Sequence, residues 1–176
     1  VSFSSQVMTY NVADAASTAR GERNDCTVKA LAIATGASYD VAHAALAKHG
    51  RKKGRGCGAM TQHRALADLG FELVRAPYTA KTVKTLEREM QSVPGAYWAY
   101  TARHVLAIVE GKVEDHSKGG TRRVKSLFRV RRATPTPAPT PAPKPAPVRP
   151  AYQPDLPGLP LWDRVPGRRE KQRRLF

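Results

Sequence analysis

Twelve of the fourteen prolines in this 176-residue chain lie beyond Ala133, and only Pro77 and Pro94 precede it. Proline fixes φ and lacks a backbone N–H, so neither helix nor sheet can run from Thr134 to Pro150, where Pro nearly alternates with Ala or Thr. That stretch reads as an extended polyproline II rod, reaching roughly 50 Å at about 3.1 Å per residue. The globular domain is therefore expected in residues 1–133, a Pro-rich linker in 134–154, and a basic tail with an apolar hook in 155–176. Leu159, Leu161 and Trp162 of the hook are the side chains expected to dock on a protein partner. A spacer ending in a hook and a cationic segment has the design of a tether.

Charge narrows the choice of partner. Thirty Lys and Arg stand against fourteen acidic residues, a formal charge of +16, which favours a polyanion such as nucleic acid or an acidic protein surface. The cations cluster at Arg51, Lys52, Lys53 and Arg55, at Arg122 and Arg123, at Arg131 and Arg132, and at Arg168, Arg169, Arg173 and Arg174. Few aromatic residues are interleaved, so the expected contact is with phosphates, without sequence readout. The longest apolar runs fall far short of the roughly 20 residues that span a bilayer, so no membrane span is expected. Two cysteines and no secretory leader pattern argue against a secreted disulfide scaffold. Cys57 and His63 are spaced as a pair of metal-ligand type, but no CxxC or HxxxH occurs, so neither metal nor cofactor is expected. Gly50 to Gly58 lacks the Gly-Lys-Ser/Thr ending of a phosphate loop and reads as an exposed basic loop.

Within residues 1–133 the pattern predicts helices first and strands second. Thr27 to Thr35 is almost wholly apolar, with Asp25 as its N-cap and Gly36 as its stop; Ser38 to His49 forms a second helix ending at Gly50. Met60 to Leu69 and Thr79 to Met90 have apolar residues at helical spacing. Strands are expected at Phe71–Arg75, Ala96–Thr101, His104–Val109, Val113–His116 and Lys125–Val130, the third and fourth joined as a hairpin around Glu110-Gly111-Lys112. This order indicates an α+β fold, with the helices on one side of an antiparallel sheet.

Cys26 is the residue with chemistry in this frame. It stands at a helix N-terminus, where the dipole favours a thiolate, and the imidazole of His104 begins a distant strand. A two-residue turn at Gly111-Lys112 puts Asp115 opposite Ile108, on the His104 face but about 13 Å along the strand.

The segment Arg23-Asn24-Asp25-Cys26-Thr27-Val28-Lys29-Ala30-Leu31-Ala32, the strand His104-Val105-Leu106-Ala107-Ile108-Val109 and Gly111-Lys112-Val113-Glu114-Asp115 together resemble papain-like cysteine peptidases of the compact phage and bacterial type. The resemblance covers residues 20–130. It implies Cys26 as nucleophile, His104 as general base and then acid, Asp115 as the group orienting the imidazole, and the Cys26 N–H as an oxyanion donor. The family usually carries a Gln six residues before the Cys; Arg20 stands there, leaving Asn24, Arg23 or Gln6 as substitutes. With the charge and the tail, the resemblance implies a phage virion component with a papain-like fold, held in a larger assembly by its tail and touching nucleic acid. An active cysteine peptidase and a soluble, cytoplasmic host-directed effector are the alternatives.

Overall fold

A computed structural model describes residues 8–134. The linker and the hook and tail residues Leu159, Leu161, Trp162, Arg168, Arg169, Arg173 and Arg174 lie outside the described residues, as does Gln6.

The described chain is α+β. Five helices, α1 (Tyr10–Ala19), α2 (Cys26–Thr35), α3 (Tyr39–Lys48), α4 (Ala59–Asp68) and α5 (Val83–Met90), accompany five strands, β1 (Phe71–Arg75), β2 (Ala96–Thr101), β3 (His104–Val109), β4 (Lys112–Glu114) and β5 (Val124–Arg132). The strands form one antiparallel sheet in the order β1-β5-β2-β3-β4.

The helices do not share one side of this sheet, as the order of elements had suggested. Val28, Leu31 and Ala32 of α2, Ala42 and Leu46 of α3 and Leu66 of α4 pack with Trp98, Val105, Ala107 and Val130 on one face. Val83, Leu86 and Met90 of α5 pack with Tyr97, Ala99, Leu106, Ile108 and Leu127 on the other. Alternate residues of β2, β3 and β5 therefore serve two cores, which is why His104–Val109 is apolar at every position after the histidine. The three α5 side chains recur at i, i+3 and i+7, and burying each contributes about 1.5–3 kcal/mol. Thr82 and Thr85 close the start of α5 with reciprocal side-chain-to-backbone hydrogen bonds, so it begins later than Thr79.

The β3–β4 hairpin turns at Glu110-Gly111, both at positive φ, the geometry a two-residue hairpin favours. Gly111 is required twice over: its φ is +77, and a Cβ there would lie 2.6 Å from the Met90 carbonyl oxygen at the end of α5. Among the described residues no helix is long and apolar enough to cross a membrane.

Candidate active site

Cys26 is the first residue of α2, which packs through Val28, Leu31 and Ala32 in the same core as Val105 and Ala107 of β3. Asp25 holds the N-cap position without capping. Its carboxylate instead turns inward, accepting from the Tyr39 hydroxyl at 2.7 Å and pairing with Lys29 at 3.2 Å. The opening N–H groups of α2 therefore lack a side-chain cap, and the positive end of the helix acts at the sulfur of Cys26. Burial pushes the Cys26 thiol up, but the His104 ring, the backbone N–H groups of Val105 and Thr27 and the imidazole charge together outweigh it. The net effect holds the thiol below its usual range.

His104 opens β3, opposite Thr101 at the end of β2. Its Nε2–H donates to Asp115 Oδ2 at 2.9 Å, and both side chains are 6% exposed. Cys26 and His104 line the same two cavities, and with Nε2 committed to Asp115 the ring nitrogen left for the thiol is Nδ1. Ser117 fixes Asp115 further, its backbone N–H donating at 2.8 Å and its hydroxyl also donating to Oδ2. Burial alone would lower the imidazole pKa; the bond to Asp115 and the nearby Cys26 thiol reverse this and raise it to about 9. Asp115 is held low despite its burial by His104 and Ser117. Both shifts act in the direction of a thiolate–imidazolium pair, backed by a carboxylate.

The expected 13 Å gap between His104 and Asp115 is closed by register. The turn sits one residue earlier than expected, so Ala107 pairs with Glu114 and Asp115 follows opposite Leu106, two residues from His104. β4 also ends at Glu114 and does not run on to His116, so Asp115 begins a turn that brings its carboxylate to the ring.

Gly56 to Gly58, the end of the 51–58 segment, line the second wall of the cleft, and here the exposed basic loop needs correction. Arg51 is buried. Its guanidinium meets Glu22 at 3.3 and 3.2 Å, and Glu22 also accepts from Gly54 N–H at 2.9 Å and bonds His43 at 2.7 Å. A buried, neutralised guanidinium offers nothing to a phosphate, so Arg51 is removed from the nucleic-acid candidates. Lys52, Lys53 and Arg55 are exposed, as are Arg122 and Arg123. Arg131 is tied to Glu72 at 2.7 Å, and Arg132 lies over the Phe71 ring. Farther along the wall the Gln62 amide donates to the Cys57 carbonyl at 2.9 Å and accepts from the Tyr100 hydroxyl at 2.7 Å.

Asn24 lines the cleft beside Cys26, its amide donating to the Gly54 carbonyl at 3.2 Å. Arg20 is engaged on the surface with Asp40 at 2.6 Å, so the position six residues before Cys26 supplies no oxyanion donor. Both cysteines are free thiols. His104, Asp115 and His116 bring three possible metal donors within 4.8 Å of one another, but His104 Nε2 and Asp115 Oδ2 are already joined by a proton. That arrangement favours proton chemistry over coordination.

Glu22, Gln62, Tyr100 and Ser117 are site residues that the sequence did not single out. A single acid between Arg20 and Arg23 is the one signal that pointed to Glu22. No protein-family model, curated protein or solved structure matches this chain.

Proposed function

We propose that this protein is a cysteine-type hydrolase of peptide or amide bonds, with a papain-like arrangement of its catalytic groups. What carries the reading is one constellation: the buried His104 ring, tied to the Asp115 carboxylate at 2.9 Å, shares its cleft with the Cys26 thiol at the start of α2, with the imidazole raised and the thiol lowered. A structural Cys/His pair has no need of that polarity.

In the first step the Cys26 thiolate attacks the carbonyl carbon, and the uncapped N–H groups opening α2, Cys26's own among them, are the donors for the developing oxyanion. The imidazolium passes its Nδ1 proton to the leaving nitrogen, the C–N bond breaks, and an acyl thioester remains. Neutral His104 then takes a proton from water, the hydroxide attacks the thioester, and expulsion of the thiolate restores the ion pair. Asp115 holds Nε2–H throughout, fixing the ring and favouring its charged form.

The test is a peptide chloromethyl ketone followed by mass spectrometry, alongside a peptide-pool digest. The reading predicts modification of Cys26 ahead of Cys57, with cleavage products lost in Cys26→Ala. Equal slow labelling of both thiols, with no product from the wild type, refutes it.

A further inference from the structure

We propose that the polar half of the Cys26 cleft is a carboxylate-binding subsite formed by Arg103 and Arg122, selecting substrates with a carboxylate next to the bond attacked. The proposal rests on the hydrolase reading above and names its substrate class.

The cleft encloses about 500 Å³ on this side. Arg103 ends the two-residue connection between β2 and β3 at φ +58, immediately before His104, and borders both halves of the cleft. Arg122 reaches the cavity from the approach to β5, its carbonyl accepting from Val83 N–H at 3.0 Å. Both are exposed, and among the described residues neither is paired with a carboxylate.

The other charges in the cavity are matched. Lys29 lies between Asp14 and Asp25, at 2.7 and 3.2 Å. Asp115 is shared by His104, Ser117 and, at 3.5 Å, His116. Two guanidinium groups thus remain without a counter-charge beside the nucleophile. Their planar, multi-donor form suits a carboxylate better than any neutral group. The opposite half, lined by Cys57, Gln62 and Tyr100, contains no acid and, besides His104 and Arg103 at its border, no cation. A substrate crossing Cys26 therefore meets Arg103 and Arg122 together on the polar side only. The carboxylate belongs either to an Asp or Glu side chain or to a free C-terminus.

Two alkylating agents test this without requiring hydrolysis. Iodoacetate and iodoacetamide both lose iodide as the thiolate forms its S–C bond, and they differ in charge. In the full-length protein, with Cys26 resolved by mass spectrometry, the iodoacetate-to-iodoacetamide rate ratio should fall roughly fivefold in Arg103→Gln/Arg122→Gln, and the difference should shrink at 1 M salt. His104 is common to both proteins, so an unchanged ratio overturns the subsite whether or not peptides are cleaved. A second arm compares an amidated peptide with Glu beside the scissile bond, its Gln counterpart, and a peptide ending there in a free carboxylate. Preference for the Glu peptide or for the free terminus supports the subsite and identifies the source of the charge, and the double variant should erase it through KM. Cleavage of all three alike, before and after substitution, overturns it.

Discussion

Glu22→Gln tests the internal ion pair on which the cleft wall is hung. Glu22 and Arg51 side chains are 1% and 0% exposed, and Glu22 is also the acceptor for Gly54 N–H. Burial raises the Glu22 pKa, but the bonds from Arg51, Gly54 and His43 more than reverse this and bring it to about 2 from 4.5. A gap of that size corresponds to about 3 kcal/mol, and screening just beneath the surface reduces it toward about 2 kcal/mol. Because the folded pKa is depressed, this stability is fully present above pH 4.5 and lost as pH falls through about 2. The amide keeps the shape but leaves Arg51 buried without a counter-charge, a change that costs more than losing a surface pair. For a domain of this size the expected drop in Tm at pH 7 is roughly 6–10 °C, read by circular dichroism. At pH 3 less than about half of the difference should remain. A Gln variant melting within 2 °C of wild type at pH 7, or one whose deficit is the same at pH 3, would refute the reasoning.

Three further outcomes follow from the geometry. Asp115→Asn still accepts the His104 Nε2–H but loses the charge, so the imidazole pKa should fall from about 9 toward 6.5 and kcat/KM by about tenfold; Asp115→Ala, which also frees the ring, should lose considerably more, measured on the best peptide substrate. Gly111→Ala places a Cβ against Met90 in a left-handed turn and should destabilise by about 2 kcal/mol or more, read as an earlier urea midpoint with unchanged m. Hydrolysis should follow a bell-shaped pH profile, its alkaline limb near 9 as His104 loses its proton and its acid limb below the ordinary thiol range; a single rise with no alkaline fall would contradict the ion pair.

Residues with strong periodicity were readable in advance. α2 to α4 and all five strands fall within a few residues of the expected spans, because their apolar spacing and glycine stops act locally. α1 was not readable: it buries only Ala13 and Ser17, small residues four apart, and Thr9 makes no side-chain cap. The period of α5 was visible in Val83, Leu86 and Met90, yet which sheet face it covers depends on chain crossing, not on spacing. Cys26, His104 and Asp115 could be named from the chain, while the hydrogen bond joining His104 to Asp115 depended on a hairpin register set by Glu110-Gly111. Arg51 was misread because a cation run among glycines has the same composition whether it is solvated or folded over a buried acid.

The central claim is that His104 stabilises the thiolate form of Cys26. Its most direct measurement is the pH dependence of iodoacetamide alkylation at Cys26 in the wild type and in His104→Ala, with Cys57 recorded in the same digests. The account predicts a wild-type midpoint below the usual thiol value of about 8.5, moving to that value or above in the variant because burial remains while the imidazolium is gone. A Cys26 that titrates at or above 8.5 in both proteins would contradict it.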